Sequence, residues 1–66
     1  MEKLDEQAIR ELRAIMDSRG VALHTGRLIS LAALPNTRAM VNWLKDNPTA
    51  SVSEMREKAK ELGEGG

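Results

Sequence analysis

The chain has no cysteine, tyrosine or phenylalanine, and its 66 residues include one tryptophan, one histidine and two prolines. Without cysteine there is no disulfide framework and no thiolate zinc site. Long apolar runs are missing too. The longest, Leu28-Ile29-Ser30-Leu31-Ala32-Ala33-Leu34, falls far short of the roughly 20 residues a membrane-spanning helix needs. The start, Met-Glu-Lys-Leu-Asp-Glu-Gln, has neither a basic stretch nor an apolar core. It does not read as a secretory signal, and an intracellular, cytoplasmic protein is expected.

A chain of this size buries only about 60% of its unfolded surface. Lacking disulfides and metal, it depends on well-packed helices or on a partner. The apolar residues are Leu, Ile, Val, Met and Ala, with Trp43 the only large aromatic. Such a core cannot also wrap a pocket of roughly a few hundred Å3, so no enzyme, small-molecule substrate or cofactor is expected. His24 stands alone, without metal-ligand spacing around it.

An excess of charge of either sign is also absent, since ten Lys and Arg balance ten Asp and Glu. The balance hides an uneven distribution. Residues 1–17 and 46–66 each hold five acids and three bases, whereas residues 18–45 hold Arg19, Arg27, Arg38 and Lys45 and no acid. A basic centre between acidic ends can mark a polyanion partner; it also arises when Glu-rich helices flank a turn-rich middle.

Caps and periods predict four helices and no strand. The first runs from Glu6 to Arg19, with Asp5 as N-cap, Leu4 and Ile9 as a hydrophobic staple, and Gly20 as the left-handed C′ residue. Leu4, Ala8, Leu12 and Ile15 make its apolar stripe, joined by Ile9 and Met16. Val21 to Gly26 reads as a connector. The second helix, Arg27 to Leu34 with Thr25 as N-cap, is apolar nearly all round and should be the most buried; Pro35 stops it. The third, Thr37 to Asp46, has Asn36 as N-cap and turns Met40, Trp43, Leu44 and Val41 inward. The fourth opens with a capping box at Ser51 and Glu54, carries Val52, Met55, Ala59 and Leu62 as a stripe, and ends at Gly63. One domain over residues 1–62 with a flexible tail over 63–66 is expected.

Only Pro35 and Asn36 separate the second and third helices, which is a helix-turn-helix plan inside an all-α bundle. Arg38, Asn42 and Lys45 recur at i, i+4 and i+7 and should share the outward face of the third helix. That face can enter a DNA major groove, with Asn42 on adenine, Arg38 on guanine, Thr37 or Lys45 on phosphates, and Arg27 and Arg19 flanking. The other reading of the same residues is an ordinary solvated helix face.

The segment from Pro35-Asn36-Thr37-Arg38-Ala39-Met40-Val41-Asn42-Trp43-Leu44 to Pro48 resembles the recognition helix of homeodomain-like helix-turn-helix proteins of the phage small terminase and transposase type. That resemblance implies double-stranded DNA as partner and a phage or mobile-element origin. The chain departs from the family pattern at Val41 and Asn42, and the second helix lacks an acidic first turn. A shorter likeness, Glu11 to Val21 followed by Leu28-Ile29, is similar to SAP and LEM-type modules, which bind DNA or small protein partners. The competing function is a protein-interaction module, an adaptor, inhibitor or regulator, binding through an apolar patch around the second helix. A positive stripe over the third helix favours DNA, and a contiguous exposed apolar patch favours a protein. Homo-oligomerisation is left open.

Overall fold

The computed structural model describes residues 5–65 and forms four helices, α1 (Glu6–Ser18), α2 (Leu23–Ala33), α3 (Thr37–Asp46) and α4 (Val52–Gly65), with no strand among the described residues. The all-α four-helix bundle expected from the sequence is present. α3 packs chiefly on α1, and α2 chiefly on α4. α2 and α3 are joined through Leu34, Pro35 and Asn36, and of the packed helix pairs theirs is the least extensive.

Local signals set the helix ends. The Asp5 carboxylate accepts the Ala8 N–H at 2.9 Å and caps α1. The staple residue Leu4 lies outside the described residues. Gly20 sits at φ +73°, and the Gly20 and Val21 N–H groups donate to the Asp17 and Met16 carbonyls. This is the Schellman closure, which needs a left-handed residue that glycine occupies without strain. At α4 the Ser51 N–H donates to Glu54 Oε1 at 2.9 Å while the Glu54 N–H donates to Ser51 Oγ at 3.2 Å. The Ser51 backbone N–H, then its hydroxyl, hold the Glu54 carboxyl below its ordinary pKa.

The core draws Ala8, Leu12 and Met16 from α1, Ile29 and Ala33 from α2, Met40, Val41 and Leu44 from α3, and Met55 and Ala59 from α4. Trp43 is half-buried and packs against this cluster.

Four expectations are corrected. α2 begins at Leu23, four residues before Arg27, and its N-cap Ala22 makes no side-chain cap bond; Thr25 lies within the helix. Nor is α2 buried all round. It buries its small face, Gly26, Ile29, Ser30 and Ala33, which recur at i, i+3, i+4 and i+7. Leu23, Leu28 and Leu31 are left 71%, 58% and 62% exposed. α4 does not end at Gly63 but continues to Gly65, so the segment set apart as a tail is helical there. A Cβ on Gly63 would run into the Ala32 carbonyl oxygen, so this glycine serves close approach of α4 to α2 rather than helix termination. Asn36 makes no cap bond either. Its Nδ2 donates to the Leu62 carbonyl at 2.6 Å, tying the start of α3 to the end of α4.

Candidate functional site

The six residues expected to meet DNA fall into different environments. Arg38 on α3 is held by α1 and its cap. Its Nε donates to Asp5 Oδ2 at 3.0 Å, its Nη2 to Asp5 Oδ1 at 3.2 Å, and its Nη1 to Glu11 Oε2 at 2.7 Å. Lys45 donates to Glu11 Oε1 at 3.3 Å. Hydrogen bonding from Arg38 is the main reason the Asp5 and Glu11 carboxyls are held below their ordinary pKa; the Ala8 N–H adds to the effect at Asp5, and Lys45 at Glu11. The same bonds push the Arg38 guanidinium up. These exposed pairs contribute little to stability. Their electrostatic consequence is larger, because two cations of α3 face two carboxylates of α1.

Thr37 is fully buried, and its hydroxyl has no hydrogen-bond partner among the described residues. The expectation that it holds a phosphate is corrected by that burial. Arg19 points inward: its Nη2 donates to the Leu44 carbonyl at 2.7 Å and its Nη1 to the Asn47 carbonyl at 3.1 Å. A guanidinium there adds a second donor to carbonyls that already accept the Asn47 and Ala50 N–H groups, and it complements the dipole at the C-terminus of α3. Asn42 is exposed on α3. Arg27 is exposed on α2 and lines, with Arg13 and Leu23, a hollow of about 280 Å3 between α1 and α2. The structure brings Arg38 and Lys45 together on one carboxylate, but it does not gather all six residues on one surface.

A different surface stands open. Burial of the small side of α2 directs Leu23 and Leu31 away from the core, and Leu28 to the rim of a groove between α2 and α4. This groove holds about 520 Å3 and is lined by Leu28, Ile29 and Ala32 on one wall and by Ser53, Arg56, Glu57 and Lys60 on the other. Val52, 40% exposed, lies one turn ahead of Arg56. Arg56, Glu57, Lys60 and Arg27 form no ion pair among the described residues. α2 itself carries no acid.

No protein-family model, curated protein or solved structure matches this chain. The functional reading therefore rests on geometry. Among the described residues no group of three His, Asp or Glu side chains is placed to hold a metal ion, and no helix is long and apolar enough to cross a membrane.

The sequence pointed to an apolar patch around the second helix without naming its residues. Leu23, Leu28, Leu31, Arg56 and Lys60 were missed as a set. The available signal was a helix with apolar residues on every side, since a single helix in a small bundle can bury only one side.

Proposed function

We propose that this protein is a small helical protein-interaction module that binds its partner through the outward side of α2 and the adjoining α2–α4 groove. The observation that carries this reading is the exposure of Leu23, Leu28 and Leu31 on a helix free of acids. Full burial of a leucine is favourable by roughly 1.5–3 kcal/mol, so the helix leaves a large apolar contribution unused until something covers it. Aligned apolar side chains at i and i+3 suit a helix or an apolar ridge of another protein.

DNA binding by α3 is the second reading. The short α2–α3 connection and exposed Asn42 favour it. The pairing of Arg38 and Lys45 with Asp5 and Glu11 weighs against it, because phosphates would have to displace carboxylates to gain those cations.

The test pairs two titrations. Replacement of Leu28→Glu with Leu31→Glu should leave the helical circular dichroism and the unfolding midpoint nearly unchanged, since more than half of each residue is already in water. Proteins retained from a lysate by the parent chain should be lost by this variant. Identical capture by both would remove the proposal. Mixed-sequence duplex DNA, followed by Trp43 fluorescence over a range of salt, should bind weakly or not at all. Tight, salt-sensitive binding that disappears in Arg38→Ala with Lys45→Ala would install the DNA reading instead.

A further inference from the structure

Resting on the interaction reading above, we infer that the α2–α4 groove takes an amphipathic helix that carries carboxylates beside its apolar side chains. The two walls differ in chemistry. Leu28, Ile29 and Ala32 supply an apolar wall, and Arg56 and Lys60 stand one turn apart on the facing wall. Arg27 lies on the α1 side of α2, where it lines the other hollow with Arg13 and Asp17, so the cations of the groove itself are Arg56 and Lys60. Glu57 is the one carboxylate in the groove lining. The cations among these residues have no anionic partner within the described part of the chain, in contrast to Arg38 and Lys45. A ligand that brings its own carboxylates completes them; a basic or neutral helix leaves them bare.

The dimensions suit a short helical segment. From Ser53 to Lys60 the α4 wall extends about 10 Å, or two helical turns. Two turns present anchors at i, i+3 or i+4, and i+7, which is how a helix seats in an apolar groove. A second copy of this chain fits less well. α2 carries Arg27 and no acid, so a two-fold contact between α2 faces sets like charges together. The occupant assigned here is therefore an acidic amphipathic helix of another protein.

The probe is a stapled helical peptide with leucines at i, i+4 and i+7 flanked by glutamates. Its twin carries lysines at the glutamate positions. Both are titrated into the full chain and followed by amide shifts in 1H–15N spectra. The acidic peptide should shift residues of the groove, weaken as salt rises, and bind about ten-fold more tightly than its twin. Arg56→Glu with Lys60→Glu should cut its affinity roughly ten-fold and raise that of the twin. Both substituted side chains are exposed and lie within a helix that accepts glutamate, and Leu28→Glu offers an independent second block on the opposite wall.

Equal binding of both peptides, sensitive to Leu28→Glu, would overturn the acidic assignment and leave the interaction surface standing. Absence of shifts from either peptide would overturn the groove inference, while the capture experiment with the Leu28 and Leu31 variant decides the broader function separately. Shifts outside the groove would overturn it as well. Vesicles of phosphatidylglycerol and phosphatidylcholine form a control arm. Binding to them that exceeds peptide binding would replace the acidic helix by an anionic membrane surface.

Discussion

Two of the seams between packed helices are finished differently. Between α1 and α3 the seam is closed on the outside by Asp5, Glu11, Arg38 and Lys45, whose charges meet across it. Between α2 and α4 the backbones approach closely at Gly63 and Ala32, yet the outer rim stays open and carries unpaired leucine and unpaired charge. The first seam has settled its chemistry within the chain. The second has not, and that difference separates a structural face from a recognition face better than composition does, since both faces carry cations.

The largest test of this contrast uses leucines from both sides of it. Leu44 lies in the core beside the α1–α3 seam, and Leu28 rims the open one. Leu44→Ala should cost about 2–5 kcal/mol, a large part of the stability of a small domain. Leu28→Ala should cost little, since most of that side chain is already solvated. Urea unfolding of both variants checks the pair. A loss at Leu28 as large as that at Leu44 would mean that α2 holds its leucines inward in solution, and the recognition surface would vanish.

Next in size is the close approach at the open seam. Gly63→Ala places a methyl group against the Ala32 carbonyl oxygen, and that oxygen belongs to backbone that cannot rotate away. Overpacking of this kind costs about 1–3 kcal/mol, against roughly 1 kcal/mol gained in helix propensity. A net fall in the thermal midpoint is expected. If Gly63→Ala raises the midpoint, α4 does not seat on α2 as described, and the groove between them has another shape.

These two seams also explain what could be read from the chain. Asp5, Gly20, and Ser51 with Glu54 were legible because caps and C′ glycines act within four or five residues; α3 starts at Thr37 as read, although the Asn36 side chain does not cap it. The core stripes of α1, α3 and α4 were legible because each alternates clearly between apolar and polar sides, except that Val52, read into the α4 stripe, is left 40% exposed. α2 was not, because periodicity cannot choose an inner side for a helix that is apolar all round. The choice was made in three dimensions by the smallest side chains, Gly26, Ser30 and Ala33, which allow the nearest approach. Gly63 misled for a related reason: a glycine near a helix end reads as a stop, and its contact with Ala32 across the chain has no local mark. The readout face misled through pairing at a distance, because the spacing of Arg38 and Lys45 says nothing of Glu11, 27 and 34 positions away from them, or of Asp5, 33 positions from Arg38.

Thr37 sharpens the view of the closed seam in the stabilising direction. Its hydroxyl is buried without a partner, and a buried polar group in that state costs about 1–3 kcal/mol. Thr37→Val keeps the shape and removes the hydroxyl. The thermal midpoint should rise by a few degrees, corresponding to about 1 kcal/mol. A fall would mean that the hydroxyl is satisfied in solution, by water or by another group, and would restore it as a candidate contact.

The smallest effect concerns the ion network itself and is visible through pH. Asp5 and Glu11 have folded pKa values below their ordinary ones, chiefly because of Arg38. Between the folded and unfolded values the unfolded chain binds more protons, so the stabilising contribution is present above about pH 4 and is lost as pH falls through the folded values. Glu54, depressed by its capping bonds with Ser51, adds to the same slope. Arg38→Gln should reduce the acid slope of a plot of thermal midpoint against pH and leave the parts due to Glu54, to the Ala8 N–H at Asp5 and to Lys45 at Glu11. Raised salt should flatten it in the parent chain as well, because the network is exposed. The same substitution should leave binding at α2 untouched. A variant that loses partner binding along with its acid slope would show that the closed seam also takes part in recognition, and the division between the two faces would fail.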